Sequence, residues 1–451
     1  MKSASVPGYL TRRAAVYVSI VLAHCHAGPS LARAEPTASP RTVVLAFGSN
    51  RDGKTGLGLD DGSTLVATPI ATTHLTGKTI TQVAAGFGIS GHTLLLADDG
   101  TVFATGSNFQ GQTGLGTNVG NTLVATPIDT SNLMGRKIAQ VAAAWDYSLL
   151  LADDGVVFSF GTNVNGRTGL GTGSGETLLA TAIDATNLSG KTINQIAAFG
   201  LHSLLLADDG TVFAFGWNSV GQTGQGTSGV DTLVAMPIDM TNLAGRKIVQ
   251  LTAGADHNLL LADDGTVFSF GSNSGGETGL GLNSGATLIA TPIDTTNLGG
   301  KRVTQVSAGG LHSLLLADDG SVFSFGQNSL GATGLGTSSG DTLVATPIDT
   351  TNLMDKTITQ VSAGSVHSLL LADDGTVFSF GDNANGQTGL GTEFSSTFIA
   401  TPIDTTNLAG RRVVGISAGG GYSLLLAVPE PGAATLLLMV GLPLIVWRPS
   451  R

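Results

Sequence analysis

Seven side chains able to bind a metal ion or a proton recur at a fixed interval along the chain. Each stands directly before a leucine-rich run, and successive members are 55 residues apart. A ring of imidazoles could hold an ion or sense protons. Seven equivalent side chains would lie too far apart to share one ion, however, and a repeated polar residue can tie its loop to backbone groups. We therefore interpret the set as a structural ring and predict no metal site and no cofactor. Its members are His92, Tyr147, His202, His257, His312, His367 and Tyr422.

Six Asp-Asp-Gly triplets also repeat, from Asp98-Asp99-Gly100 to Asp373-Asp374-Gly375. Calcium loops alternate their acidic residues and end on a distal glutamate, a pattern these triplets lack. Asp and Gly suit tight turns, so we interpret the triplets as hairpin turns. Neither a Ser-His-acid set nor a carboxylate pair stands out, and we predict that the protein is not an enzyme.

Aromatic and acidic residues that depart from the repeat are the candidates for recognition. Loop positions outside the repeated architecture can vary without disturbing the core, and exposed aromatics beside an acid are good anchors for a protein or a sugar. The alternative is that these side chains fill gaps between repeats. The candidate binding residues are Phe87, Phe109, Trp145, Asp146, Trp217 and Phe394.

A single fifteen-residue phrase, HSLLLADDGSVFSFG in residues 312–326, recurs through the chain and defines the elements that position these candidates. SLLLA and SVFSF are short apolar runs around an Asp-Asp-Gly turn, which is the pattern of a β-hairpin. TLVATPID and KxxTQVSAG supply two further strands per unit, the first suited to a sheet edge because of its proline. The glycine after the second hairpin strand marks each unit, at Gly48, Gly106, Gly161, Gly216, Gly271, Gly326 and Gly381.

Four short strands per unit at a constant period predict an all-β, seven-bladed β-propeller of four-stranded antiparallel blades. A parallel β-helix is the alternative, but its coils are shorter and need no hairpin in every unit. The domain opens with the second hairpin strand alone, at Val43–Phe47, and ends with the first alone, at Ser423–Ala427. Pairing these two strands would close the ring and remove exposed edges.

The motif GxNxxGQTGLGT, a Pro-containing strand and ITQVSAGxxHSLLLADDGTVFSFG together resemble the regulator of chromosome condensation repeat, a seven-bladed propeller family. The resemblance covers residues 42–427. It implies a rigid scaffold for binding proteins. The eukaryotic founder binds chromatin and catalyses guanine-nucleotide exchange, using a wedge inserted in one blade. The marker glycines here are 58 residues apart in the first unit and 55 in the next five, which leaves no room for such a wedge. Bacterial members of similar fold include a secreted inhibitor of β-lactamases, so a secreted hydrolase inhibitor is one alternative function. By analogy with the founder, a regulator resembling a guanine-nucleotide exchange factor is the other.

Residues 1–34 have the pattern of a signal peptide. Basic residues precede the apolar stretch AAVYVSIVLA, and Ala32-Arg33-Ala34 offers a cleavage site for signal peptidase. An amphipathic first helix is the alternative. We expect residues 35–41 to be a short linker and residues 42–427 to form the propeller.

Residues 428–451 resemble a PEP-CTERM sorting signal of Gram-negative bacteria. Pro429-Glu430-Pro431 precedes an apolar segment, residues 432–447, and basic Arg448 and Arg451 follow. The resemblance implies recognition by an exosortase and transient membrane association through 432–447. A permanent transmembrane helix is the alternative. The protein is thus expected to be exported, to the cell surface or the extracellular matrix.

The balance of acidic and basic residues limits the classes of partner that the domain can bind. Residues 35–427 carry 31 acidic and 15 basic side chains, a net charge of −16 that opposes nucleic-acid binding. The single cysteine, Cys25, lies within the expected signal peptide. We therefore predict a monomeric, exported, non-catalytic scaffold whose loops bind a protein or polysaccharide partner.

Overall fold

A computed structural model describes residues 42–88, 90–283, 285–338 and 340–430. The expected signal peptide with Ala32 and Ala34, the linker to residue 41, Pro431 and the apolar segment 432–447 lie outside these ranges. Within them, no helix is long and apolar enough to cross a membrane.

The described residues form 28 strands and seven short 3₁₀ helices. The strands are β1 (Val43–Ser49), β2 (Ser63–Pro69), β3 (Ile80–Ala85), β4 (His92–Ala97), β5 (Val102–Ser107), β6 (Asn121–Pro127), β7 (Ile138–Ala143), β8 (Tyr147–Ala152), β9 (Val157–Thr162), β10 (Glu176–Ala182), β11 (Ile193–Ala198), β12 (His202–Ala207), β13 (Val212–Gly216), β14 (Thr232–Pro237), β15 (Ile248–Ala253), β16 (His257–Ala262), β17 (Val267–Asn273), β18 (Gly285–Pro292), β19 (Val303–Ala308), β20 (His312–Ala317), β21 (Val322–Gly326), β22 (Thr342–Pro347), β23 (Ile358–Ala363), β24 (His367–Ala372), β25 (Val377–Gly381), β26 (Thr397–Pro402), β27 (Arg411–Ala418) and β28 (Tyr422–Pro429). The 3₁₀ helices are Arg51–Gly53, Ser131–Leu133, Val164–Gly166, Thr186–Leu188, Thr241–Leu243, Thr296–Leu298 and Thr406–Leu408.

These strands make seven four-stranded antiparallel sheets, which confirms the predicted propeller. We number the blades 1 to 6 from β3–β6 to β23–β26 and letter the strands of each a to d in chain order. Blade 7 combines β27 and β28 as strands a and b with β1 and β2 as strands c and d. Strand a lines the central channel, strand d is the outer edge, and the Pro-containing strand is d, as expected.

The first strand closes the ring against the last. Val43 pairs with Ala427 and Phe47 with Ser423, which confirms that the two segments pair as the sequence predicts. Strand β28 continues to Pro429, which pairs with Arg411, so the ordered sheet extends two residues past the expected domain end. The propeller therefore has no blade with an unpaired inner strand among the described residues.

The core consists of apolar slabs between neighbouring blades. The leucine-rich b strands are buried on both faces, because each is sandwiched between adjacent sheets. One slab, for example, packs Leu94 and Leu96 of blade 1 against Phe158 and Phe160 of blade 2. The repeat is thus the unit that supplies each blade with both halves of an interface.

A belt of glutamines joins the a strands around the channel. Gln82 donates from Nε2 to the carbonyl of Val141 at 2.9 Å, while the Val141 N–H donates to Gln82 Oε1 at 3.0 Å. Equivalent glutamines bond to the next blade from Gln140, Gln195, Gln250, Gln305 and Gln360. Blade 7 carries Gly415 at this position, so the belt is interrupted where the last blade meets the first.

Antiparallel order places the loops of every blade at two faces. The a–b and c–d loops meet at one face, which we call the loop face, and the Asp-Asp-Gly b–c turns and d–a connections meet at the other, the turn face. Gly106 at the end of strand c shows why glycine marks each unit. Its φ is +112°, and an added Cβ would lie 2.6 Å from the Cα of His92.

Candidate binding face

The repeated histidines lie between blades and bond each blade to the next. Their Nε2 atoms lie 2.7–2.9 Å from a polar side chain on strand b of the following blade. The partners, in order, are Ser148, Asn258, Ser313, Ser368 and Ser423. The ring predicted from sequence therefore surrounds the channel one strand further out, inside the blade interfaces, whereas strand a lines the channel itself.

The bonding pattern fixes the histidine tautomer. Asn258 donates from Nδ2 to the carbonyl of Gln222 at 2.9 Å, so the Oδ1 that faces His202 accepts a hydrogen bond from the Nε2–H of that ring. Ser148 likewise donates to the Gln112 carbonyl and accepts from His92. Burial without a compensating charge lowers the pKa of each ring histidine, to about 3 for His92 and about 4 for His202.

Tyrosine replaces histidine in blades 2 and 7 and reaches further. Tyr147 donates to the carbonyl of His202 at 2.7 Å, and Tyr422 donates to that of His92 at 2.8 Å. Tyr422 also accepts from the N–H of Gly86, which joins the last blade to the first. The contacts of all seven positions are thus between blades.

Three aromatic side chains from consecutive blades meet on the loop face. The Phe87 and Trp145 rings pack in a T-shaped arrangement with their centroids 5.2 Å apart, and the centroids of the Phe87 and Phe199 rings are 4.8 Å apart. Trp145 is 41% exposed, whereas Phe199 is 7% exposed and lines the end of the channel. We call Phe87, Trp145 and Phe199 the aromatic cluster. Phe199 was missed in the sequence, although it occupies a loop position that holds glycine in blades 4 to 7.

The other aromatic candidates lie on separate loops. Phe109 and Trp217 follow strand c of blades 1 and 3; Phe109 is 55% exposed and Trp217 is half-buried. Phe394 in the c–d loop of blade 6 is 79% exposed and has a φ of +65°. Its N–H donates to the Asn383 carbonyl, as the N–H of Gly229 does to Asn218 in blade 3. A bulky residue thus holds a glycine-type turn and points into solvent.

Blades 2 and 4 differ in charge at a pair of equivalent loop positions, a contrast that we did not predict. In blade 2 the Asp146 carboxylate accepts from Arg167 at 2.8 Å, and burial raises the pKa of Asp146 while Arg167 opposes that rise. Blade 4 carries Asp256 and Glu277 at the same two positions, 110 residues later. Burial raises the pKa of both, and the negative charge of Glu277 raises that of Asp256 further.

Lys54 stands at the corresponding position of blade 7. Residues 48–55, GSNRDGKT, match the phosphate-loop pattern G-x-x-x-x-G-K-T, which we overlooked in the sequence. The loop leads into strand β2 rather than into a helix, and the Lys54 ammonium donates to the Gly420 carbonyl and lies over the Tyr422 ring. Burial lowers the pKa of Lys54 to about 8. The match therefore arises from the c–d loop of blade 7, between β1 and β2.

The channel has a volume of about 240 Å³ and two unlike halves. Blades 1 to 3 present alanine at one lining position, whereas blades 4 to 7 present Thr252, Ser307, Ser362 and Ser417. Each hydroxyl accepts from an N–H of the next blade, such as that of Ala363 from Ser307 at 2.9 Å. The aromatic cluster comes from the alanine-bearing blades. Within the described residues, no group of three His, Cys, Asp or Glu side chains is arranged to hold a metal ion.

The chain matches the RCC1-like domain family over residues 43–425. Among curated relatives, the ultraviolet-B receptor UVR8 of Arabidopsis thaliana is 28% identical over 79% of this chain and 76% of its own length. The secretion-regulating guanine nucleotide exchange factor of Bos taurus is 28% identical over 88% of this chain and 85% of its length. The human E3 ubiquitin-protein ligase HERC2 is 29% identical over 86% of this chain, which spans only 8% of HERC2.

Solved structures share the fold. Human WBSCR16 superposes with a TM-score of 0.74 at 23% identity, covering 85% of this chain and 99% of WBSCR16. Prp20p of Saccharomyces cerevisiae, studied for its binding to Gsp1p and histones, gives a TM-score of 0.75 at 21% identity, covering 90% and 96%. At these identities the likeness shows the propeller architecture alone.

Proposed function

The chain belongs to the RCC1-like domain family, and from that premise we propose that it is a non-catalytic binding scaffold whose loop face holds a protein or polysaccharide partner. The observation that carries the proposal is the aromatic cluster. Phe87, Trp145 and Phe199 come from three loops of three blades, yet they meet at one place, and Trp145 remains 41% exposed.

The surrounding structure favours recognition over turnover. The ring histidines are buried and bonded to the next blade, so they are committed to holding blades together. The described channel lining consists of Gln, Ala, Ser, Thr, Phe and aliphatic side chains, which offer hydrogen bonds and apolar contact. A rigid ring that presents preorganised aromatics loses little entropy on binding.

We further propose that the protein acts outside the cell. Support comes from the signal-like order of residues 1–34 and from the Pro-Glu-Pro, apolar and basic order of residues 429–451. Mass spectrometry of protein from cells and medium is expected to find Glu35 as the N-terminus and residues 432–447 removed. Recovery of residues 432–447 in the mature protein would contradict sorting by cleavage.

Binding is tested by capture of partners from a surface fraction and by a glycan array, using the full chain and Trp145→Ala. The matched control is Met134→Ala on the turn face: Met134 is 82% exposed, and Ala244 and Ala409 occupy its position in the connections that follow blades 3 and 6. We expect Trp145→Ala to lose the partner and Met134→Ala to keep it. Equal binding by both variants would refute a site at the aromatic cluster.

Exchange activity is the second candidate, because a relative over 88% of this chain is a guanine nucleotide exchange factor. Release of labelled GDP from small GTPases of the producing organism tests it directly. Catalysed release that Trp145→Ala abolishes would favour exchange over simple binding.

A further inference from the structure

The two faces of the propeller differ in how their charges are balanced. On the turn face of each of blades 1 to 6, an ion pair links a Lys or Arg two residues before strand a to an aspartate of the Asp-Asp-Gly turn. The pairs are Lys78–Asp99, Arg136–Asp154, Lys191–Asp209, Arg246–Asp264, Lys301–Asp319 and Lys356–Asp374. One of the two aspartates in each of these turns is therefore paired with a cation.

The loop face carries far more carboxylates than cations. Its described acidic residues are Asp52, Asp60, Asp61, Asp146, Glu176, Asp231, Asp256, Glu277, Asp341, Asp382 and Glu393, against Arg51, Lys54 and Arg167. Lys54 and Arg167 are buried, and Arg167 is paired with Asp146. The potential above this face is therefore negative, which attracts cationic groups and repels polyanions.

Blade 4 concentrates this imbalance. Asp256 and Glu277 stand where blade 2 has the Asp146–Arg167 ion pair, so a cation that the fold accommodates is replaced by a second acid. Asp341 of the next blade adds its charge, which raises the pKa of Glu277. Asp256 is half-buried and Glu277 is buried, and their carboxylates repel each other. A partner that brings positive charge therefore stabilises both.

The aromatic cluster supplies the complementary contact on the same face. Guanidinium and ammonium groups stack on tryptophan and phenylalanine faces, and the attraction increases when the pair is desolvated. An arginine-rich segment combines both requirements, whereas a neutral glycan would leave the acidic loops unused. An anionic polysaccharide or nucleic acid would be repelled.

We propose that the loop face binds a cationic, arginine- or lysine-rich segment of a protein partner, with basic side chains stacked on Trp145 and paired with the acidic loops of blades 4 and 5. This inference rests on the proposed binding function and names the chemistry of its partner. It predicts affinity that depends on both the aromatic cluster and the charge of blade 4.

The test is a titration of the full chain with a nona-arginine peptide, measured by isothermal titration calorimetry at increasing salt concentration. A Gly-Ser nonapeptide, dextran and dextran sulfate are the comparison probes. We expect binding of the arginine peptide alone, weakened roughly tenfold when ionic strength rises from about 0.05 to 0.5 M, since screening shortens the reach of exposed charges.

Glu277→Arg is the diagnostic variant, because blade 2 shows that the fold accepts arginine beside an aspartate at these positions. Asp318→Arg makes the same change in charge on the turn face, where Asp318 is exposed. We expect Glu277→Arg and Trp145→Ala each to weaken binding about tenfold and Asp318→Arg to change it less than about twofold. Glu277→Gln, which copies Gln222 and Gln387, should weaken it less than Glu277→Arg and serves if the arginine variant fails to fold.

Equal weakening by Glu277→Arg and Asp318→Arg would show attraction to net charge and overturn the inference. Preference for dextran, or affinity independent of salt, would overturn it as well. If a captured natural partner requires Trp145 but is insensitive to Glu277→Arg, the binding function stands and the cationic segment is wrong. If no partner requires Trp145, the proposed function itself fails.

Discussion

The buried histidine ring should make the propeller lose stability in mild acid. Burial lowers the pKa of the ring histidines to about 3 for His92, His257 and His367 and to about 4 for His202 and His312. An unfolded histidine titrates near 6.5. Between these values the unfolded chain binds more protons than the folded one, so stability falls as the pH drops from about 6.5 toward 3 and is flat above.

The magnitude follows from the same shifts. At pH 5 each ring histidine lowers the free energy of unfolding by roughly 2 kcal/mol relative to pH 7, or on the order of 10 kcal/mol for five. That total is comparable to the whole stability of a typical domain. The aspartates of the turn-face ion pairs have lowered pKa values, for example about 2 for Asp264, so their losses begin at lower pH.

His312→Tyr removes one titrating group with a residue that the ring already uses. Tyr422 shows that tyrosine fits above a glycine at the position equivalent to Gly309, and the new hydroxyl would meet the His367 carbonyl as Tyr147 meets that of His202. Urea unfolding at pH 7 and pH 5 should show a loss of stability smaller by about 2 kcal/mol in the variant. The reciprocal change, Tyr422→His, should enlarge the loss. A pH dependence unchanged in both variants would refute the histidine ring as its source.

Three further predictions concern single positions. Gly415→Gln should complete the glutamine belt, and its new hydrogen bonds should raise the free energy of unfolding, measured in urea, by about 1–2 kcal/mol. The site has room for the side chain, since an added Cβ would meet only Leu426, at 3.4 Å, and Gly415→Ala should give less than half of this gain. Phe394→Gly should raise stability by about 1 kcal/mol in thermal melts by relieving its positive φ, whereas Phe109→Gly should not. The pKa of Lys54 is about 8 in the folded chain and higher in the unfolded chain, so the free energy of unfolding should rise between pH 8 and about 10. Lys54→Gln should abolish this rise in urea melts, and a rise retained in the variant would contradict the assignment.

The sequence was sufficient for the architecture because the repeat encodes local structure. Each leucine run, Asp-Asp-Gly turn and Pro-containing strand forms from neighbours within one unit, and the incomplete hairpins at Val43–Phe47 and Ser423–Ala427 predicted how the ring closes. Strand order within a blade follows from hairpin connections. Nothing beyond the periodicity was needed to place these elements.

The site was less predictable because its contacts join different units. Bonds such as His92–Ser148 and Gln82–Val141 link residues 56 and 59 apart, and only the packing of blade on blade brings them together. Phe199 was overlooked because residues were judged by exposure in single loops rather than by shared geometry. Asp256 and Glu277 were overlooked because neither is unusual until it is compared with Asp146 and Arg167.

These contacts also explain where the chain is free to vary. The ring and belt positions stay polar in nearly every blade because each bonds to its neighbour's backbone or hydroxyl, and only Gly415 departs from the belt. The residue preceding each Thr-Gly turn bonds to the next blade through its backbone carbonyl, as Gln112 does to Ser148 and Glu277 to Ser313, so its side chain can change without loss of that bond. Blade 2 therefore holds an ion pair at this position and the one before the ring residue, and blade 4 holds two acids. Variation confined to such positions changes the charge and shape of the loop face while leaving the blade interfaces intact, which is the property a family of binding scaffolds requires.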